Sequence, residues 1–441
     1  MIDVSPIGSW VSIQKRPQLF PIVIDKYKQT FYNNGGDIME KQILHVDVNN
    51  AFLSWTAVDM LKHGSQIDIR EIPAIIGGDE SKRSGIVLAK SMKAKECGVK
   101  TAETIYQAKL KCPNLQIFSS NFKVYKEYSE KLYQLLLQYT NRIERFSIDE
   151  CFLDMTNYLM KDTLLNKAKE INKRVKEELG FTVNIGVAHN KLLAKMASDF
   201  KKPDRIHTLW KEEIPDKMWC LPVSELFMLG RKTVPKLYNM QIKTIGDLAK
   251  SDKKVLEKKF GKHGIQMWEY ANGIDESEVK YIEEDPKCIG NSTTLPQNIS
   301  NIEKLEEILL VLTEQVTYRL RKHNLLANTV GVQLRNKDFE DSSHQGKLTN
   351  ATSTTKQIYA KAKQLLNEMY RKGTQIRLVG VKVDNLISKE EMQISIFEDE
   401  QNKKQETLDK VVDELKNKYG YNSITRAGKM EIQNKIKLKD V

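Results

Sequence analysis

The chain has 441 residues, 40% hydrophobic and 29% charged, which places it with globular proteins of about three domains and not with fibrous or disordered chains. Lys and Arg number 70 against 58 Asp and Glu, a net charge of +12, a balance that suits a polyanionic partner such as nucleic acid. Cys97, Cys112, Cys151, Cys220 and Cys288 are scattered with no Cys-x-x-Cys, no apolar run approaches the roughly 18 residues that cross a bilayer, and no basic-then-apolar leader opens the chain, so a zinc module, a disulfide framework and a membrane anchor are set aside and a reduced, cytoplasmic protein is expected.

Residues 1–38 mix Trp10, Phe20, Tyr27 and Phe31 without a sustained period and read as an N-terminal extension, with Met39 as the expected natural start. The run Ile43 to Val48 reads as a buried strand and Ala51 to Leu61 as a helix with Phe52, Trp55 and Val58 on its apolar side, so Asp47 falls at a strand end. Residues 66–118 hold short apolar pieces, the loop Gly77 to Gly85 and a Lys-rich helix, which together read as a small insertion. The loop's Gly77-Gly78-Asp79-Glu80 has the outline of a cyclase signature, but Ser81 stands where an aromatic belongs, so it reads as a turn.

Helical periodicity returns from Phe122 to Tyr139 and is followed by two short apolar runs flanking Ser147-Ile148-Asp149-Glu150. Successive strand side chains point to opposite faces, so the acidic pair reaches one ion together only from a hairpin turn. Hard divalent cations take oxygen ligands and share them with phosphates, which makes such a turn a plausible seat for Mg²⁺. A helix from Leu164 to Leu179 and a strand from Thr182 to Ala188 complete the order strand, helix, strand, strand, helix, strand. That is the split ferredoxin-like arrangement, and it carries Asp47 to the same edge as the acidic pair.

Residues 221–275 hold Gly-marked turns at Gly230, before Arg231 and Lys232, and at Gly246. Glycine lets a backbone approach phosphate closely, and a following helix start offers free N–H groups. Charges, Pro286 and Pro296 mark a linker into a second α+β unit, in which Arg335, Lys347, Arg377 and Lys382 lie on or beside strands. Beyond Ser388 the chain is charged, with one apolar island, Gln393 to Phe397, of the kind that docks into a partner's groove.

From about Ile43 to Phe397 the chain resembles the Y-family DNA polymerases of UmuC/DinB type. The resemblance rests on His45-Val46-Asp47-Val48-Asn49-Asn50-Ala51-Phe52, on Ser147-Ile148-Asp149-Glu150, and on Gly186 to Ser198 with its His189-Asn190-Lys191. It implies an α+β right-hand polymerase: ferredoxin-like palm at 39–65 and 119–205, small fingers at 66–118, a helix-hairpin-helix thumb at 206–280, a linker at 281–287, a separate α+β little finger at 288–388 and a C-terminal tail at 389–441. It further implies that Asp47, Asp149, Glu150 and the Val48 carbonyl hold two Mg²⁺ ions, with Mn²⁺ able to substitute. Phe52, five residues after Asp47, matches the steric gate that excludes a ribose 2′-hydroxyl, and Lys191 matches a triphosphate-binding lysine. Where many members carry a Tyr-x-x-Arg motif in the fingers, this chain has Met92 and Lys95, and Lys95 keeps the charge without Arg's bidentate fork.

By the same resemblance Gly230, Arg231, Lys232, Gly246, Arg335 and Arg377 contact DNA, and Gln393, Ile396 and Phe397 bind a bacterial sliding clamp. The implied activity is error-prone, template-directed translesion synthesis in SOS-type damage tolerance, adding dNTPs to primer-template DNA in the cytoplasm near the nucleoid. The alternatives are a two-metal nuclease, which needs the carboxylates but neither Phe52 nor Lys191, and a DNA- and clamp-binding accessory protein without catalysis.

Overall fold

The structure, a computed structural model, describes residues 41–78, 85–156, 161–282, 284–391, 400–421 and 423–424. The extension 1–38 with Met39, and the stretch holding Gln393, Ile396 and Phe397, lie outside them. Strand β1 (Ile43–Val48) and helix α1 (Ala51–Lys62) come first. A three-stranded sheet follows, built from β2 (Ala74–Gly77), β3 (Val87–Lys90) and β4 (Gln116–Ser119), with α2 (Met92–Glu96) and α3 (Ile105–Lys111) between its second and third strands. The chain then returns through α4 (Phe122–Leu136), β5 (Ile143–Arg145), β6 (Glu150–Asp154), α5 (Lys161–Arg174), β7 (Val183–Ala188), α6 (Lys191–Asp199) and β8 (Ile206–Thr208).

The large sheet has the order β5-β6-β1-β7-β8, so β1, β5, β6 and β7 make the ferredoxin-like core expected from the element succession. Alternation along β1 sends Leu44, Val46 and Val48 into the core shared with α1, α4 and α5. The other parity, Ile43, His45 and Asp47, looks to the opposite face, where Ile43 joins Phe152 and the apolar side of α6. Gly186 sets how closely α6 lies on that face: a Cβ there would stand 1.8 Å from the Ala194 carbonyl oxygen.

Short helices α7 (Ile214–Lys217), α8 (Val234–Tyr238), α9 (Ile245–Ala249), α10 (Lys253–Phe260) and α11 (Lys262–Ala271) share one core with α6. The last unit runs β9 (Cys288–Ile299), α12 (Ile302–Lys322), β10 (Leu325–Asn336), β11 (Asp341–Thr352), α13 (Thr355–Met369) and β12 (Ile376–Ser388). It repeats the element succession of the first unit but not its strand order, which is β11-β10-β12-β9. Its helices cover one face of the sheet through Val330, Val332, Val381 and Val383.

The charged tail contains a helix that apolar periodicity did not reveal, α14 (Glu400–Tyr419). Polar contacts hold it. The Arg321 guanidinium at the end of α12 pairs with Asp413 at 2.6 Å and Asp409 at 3.4 Å, and Asp409 accepts the Thr355 backbone N–H at the start of α13.

Candidate active site

The antiparallel register of β1 and β6 sets Asp47 directly across from Glu150. Both sit on the α6 face, since Val46 and Cys151, one step along, pack into the opposite core. Their side chains converge on one cation: Lys195 Nζ of α6 lies 2.8 Å from Glu150 Oε1 and 3.3 Å from Asp47 Oδ2. A second ammonium, Lys202, reaches Asp47 Oδ2 at 2.7 Å. Burial works against the charge on Lys195 and Lys202, but Asp47 and Asp199, joined by Glu150 for Lys195, outweigh it and hold both pKa values above the ordinary lysine range. Burial, with Asp47 and Asp149 nearby, pushes the Glu150 carboxyl upward against the pull of Lys195.

Asp149 stands in the turn before β6, and its Oδ1 accepts the Ser147 hydroxyl at 2.5 Å. Its carbonyl accepts the Val48 N–H at 3.0 Å, so the turn is fastened to the end of β1. The three carboxylates therefore share one corner but do not aim at one point, and among the described residues no cluster of three or more metal-type side chains converges. The donor set nevertheless fits hard cations: two facing carboxylates are already bridged by the Lys195 ammonium, with that of Lys202 on Asp47, standing where positive charge is favoured. Asn49 is occupied elsewhere, binding Asn184, Thr182 and the Asp204 N–H.

Behind Glu150, His45 is fully buried. The Ser198 hydroxyl donates to the Lys195 carbonyl at 2.8 Å, which assigns the 2.8 Å contact with His45 to a donating Nδ1–H. His45 Nε2, without a hydrogen-bond partner, faces Glu150 Oε2 at 3.9 Å. Burial first, then Lys195 and Lys202, hold the imidazole well below its usual pKa. Phe52, at the start of α1, is half-buried in an aromatic group with Tyr125 at 4.7 Å, Phe122 at 6.0 Å and Trp55 at 6.3 Å between ring centroids. The sequence did not single out Lys195 or Lys202.

Lys191, expected at the triphosphate, is paired away from the corner of Asp47 and Glu150. Its ammonium lies between the two Glu144 oxygens at 2.7 and 2.9 Å and near the Glu278 carbonyl at 3.3 Å. Lys191 and Lys195 share a helix face but stand one turn, about 5.4 Å, apart along α6, and only the second reaches the carboxylates.

The profile of the impB/mucB/samB family matches residues 46–199, that of its C-terminal domain matches 286–396, and a DNA polymerase-iota thumb domain matches 226–275. DNA polymerase IV of Clostridium acetobutylicum is 48% identical over 397 residues, covering 90% of this chain and 100% of that protein. DNA polymerase IV of Acetivibrio thermocellus is 38% identical, with 88% and 97% covered. The chain belongs to the Y-family DNA polymerases. In fold it is similar to a chimeric Y-family polymerase built from Dbh and Dpo4, with a TM-score of 0.70, 23% identity, and 79% and 99% of the two chains covered.

The polymerase's thumb departs from the glycine expectations at two places. Gly246 is buried inside α9, its N–H donates to the Trp219 carbonyl at 3.0 Å, and a Cβ there would stand 3.0 Å from the Trp219 side chain. It serves packing and has no free amide for a phosphate. Gly230 is exposed beside exposed Arg231 and Lys232, but the left-handed backbone in that turn falls on Met228, with φ +66°. The turn that does require glycine joins α10 to α11: Gly261 has φ 63° and ψ −145°, and a Cβ on Gly264 would meet the Leu256 carbonyl oxygen at 2.2 Å. Phe260-Gly261-Lys262-His263-Gly264 was its signal in the sequence.

In the polymerase's last unit, the sheet face opposite the helices forms a groove of about 840 Å³ lined by Gly290, Ser292, Gly331, Gln333, Gly380 and Lys382, among others. Arg335, at one end of it, holds Asp341 at 2.7 Å, and Arg377 lies 4.7 Å over the Phe339 ring. On α2, beside the small sheet, Lys95 is exposed, and Lys90 of β3 has its pKa lowered by burial and by the neighbouring Lys95 charge.

Proposed function

We propose that this Y-family enzyme carries out error-tolerant, template-directed synthesis past damaged bases, adding dNTPs to a primer 3′-hydroxyl within SOS-type damage tolerance. The observation that carries the reading is the pair Asp47 and Glu150, facing each other across β1 and β6 and bridged by Lys195, with Lys202 also on Asp47. Asp47, Glu150, the Val48 carbonyl and Asp149, once turned from Ser147, would hold a pair of Mg²⁺ or Mn²⁺ ions. Such ions supply charge neutralisation at the phosphates and acidify the attacking hydroxyl.

The chain's own groups do the rest. Once the carboxylates hold their cations, the ammonium groups of Lys195 and Lys202 would be available to an incoming triphosphate. Lys202, the more exposed of the two, takes the role first assigned to Lys191. Lys90 and Lys95 add positive charge from the fingers, while Phe52 occupies the space of a 2′-hydroxyl. Residues 39–65 and 119–205 act as palm, 66–118 as fingers, 206–280 as thumb and 288–388 as little finger. Primer-template DNA lies along the Gly261 turn, Arg231, Lys232 and the little-finger groove. These contacts are to the backbone and do not read sequence.

Gln393, Ile396 and Phe397 would tether the enzyme to a sliding clamp, raising its concentration at the primer end. No helix among the described residues is long and apolar enough to cross a membrane, and action on chromosomal DNA places the enzyme in the cytoplasm at the nucleoid. Extension of a labelled primer on undamaged and lesion-bearing templates tests the reading. Synthesis past the lesion with Mg²⁺, abolished by Asp149→Ala with Glu150→Ala, is the expected result. DNA binding without nucleotide addition under Mg²⁺ or Mn²⁺ would instead establish a catalytically inactive accessory protein. Loss of clamp pull-down by Gln393→Ala with Phe397→Ala, with basal synthesis spared, tests the tether.

A further inference from the structure

The fingers contain two cysteines that the nucleotide reading leaves unused. Cys97 ends α2 and Cys112 ends α3, 15 residues further on, and the Cys112 thiol donates to the Cys97 sulfur across 3.0 Å. Cys97 is exposed, whereas Cys112 is buried in the fingers core with Ala94, Val99, Ile105 and Ala108. Burial and the adjoining Cys97 thiol push Cys112 up to about 11, so it stays protonated at neutral pH. A soluble oxidant therefore meets Cys97 first, with a second sulfur already in place behind it.

Helix α2 is held unevenly. Its N-terminus is pinned to β2, because the Ser91 hydroxyl oxygen accepts the backbone N–H groups of both Ala74 and Ala94. Its C-terminal end meets α3 through the two sulfurs. The exposed side of α2 carries Met92 and Lys95, and Lys95 is one of the two finger lysines given to the triphosphate in the reading above.

We propose that Cys97 and Cys112 form a reversible dithiol–disulfide site which, when oxidised, fixes α2 against α3 and weakens uptake of the nucleotide triphosphate by the fingers. The second half rests on the triphosphate role given to Lys95. The oxidant is a hydroperoxide. Hydrogen peroxide converts the Cys97 thiolate to a sulfenic acid and releases hydroxide; the Cys112 thiol then attacks that sulfur and water leaves. In sum, two thiols and one peroxide give one disulfide and two waters. A small-molecule dithiol returns both thiols by exchange through a mixed disulfide.

The test treats the full chain with hydrogen peroxide, maps its disulfides by mass spectrometry and measures the dNTP KM before and after. A linked Cys97–Cys112 peptide, reversed by dithiothreitol, with a rise of about threefold or more in KM, is expected. Cys97→Ser should keep the KM of the reduced enzyme and show no response to peroxide. Overoxidised Cys97 beside a free Cys112 thiol would overturn the site. A mapped disulfide with unchanged KM overturns the coupling to nucleotide if Lys95→Ala raises the KM of the reduced enzyme. If Lys95→Ala also leaves KM unchanged, the triphosphate role of α2 is what fails and the disulfide site stands.

Discussion

Lys191 and Lys202, eleven residues apart, are paired differently, the first with Glu144 and the second with Asp47 and Asp199. Cations held by Asp47 would take one of the two carboxylate partners of Lys202, leaving Asp199, and a charge-assisted contact to phosphate is worth about 1.5–3 kcal/mol. Lys202→Ala should therefore raise the dNTP KM by about tenfold or more in steady-state primer extension. Lys191→Ala should leave that KM within about twofold, because the ammonium serves Glu144 and Glu278. Equal effects of the two substitutions would overturn the reassignment. Phe52 makes a separate prediction: removing its ring should lower discrimination against ribonucleotides by about tenfold, the scale of one lost steric contact in a pocket. Unchanged sugar discrimination in Phe52→Ala would refute the gate.

At the level of elements, the close seating of α6 on β7 is what delivers Lys195 to the carboxylates. Any side chain at Gly186 runs into the Ala194 carbonyl and the Ser198 N–H. Gly186→Ala should cost about 3 kcal/mol, the upper range for overpacking, and should reduce catalysis more than DNA binding. Thermal unfolding and filter binding measured together check it, and wild-type stability in this variant would count against the packing argument. The sequence exposed β1, β6 and β7 because strand alternation and acidic residues at strand ends are local signals. It did not expose which lysine of α6 reaches Asp47, since that depends on a helix-to-sheet distance set by Gly186. Gly246 misled for a related reason: a glycine before a short helix looks alike whether it faces a phosphate or, as here, the Trp219 carbonyl. The paired sulfurs of Cys97 and Cys112 were equally silent, because their contact depends on how α2 and α3 end side by side.

For the whole molecule, the consequential surprise is α14. A helix so rich in charge, within a Lys-rich tail, was not expected: Leu408, Val411, Val412 and Leu415 fall at helical spacing, but Leu408 and Val411 are exposed, and the attachment is made by groups that look like solvated charges in the sequence. Arg321 reaches both Asp409 and Asp413, the Asp409 carboxylate also takes the first free N–H of α13, and Lys389 pairs with Glu406 at 3.0 Å. The tail thus returns to the unit it left. Removing Arg321 leaves two carboxylates close together with little solvent, which costs about 3 kcal/mol or more. Arg321→Ala should therefore release α14, seen as faster amide hydrogen exchange over 404–419 and at Thr355. Primer extension on naked DNA should be unchanged, because the contacts described for α14 run to α12 and α13 of the last unit. Exchange confined to its wild-type rate would show that α14 is held by contacts other than this ion pair.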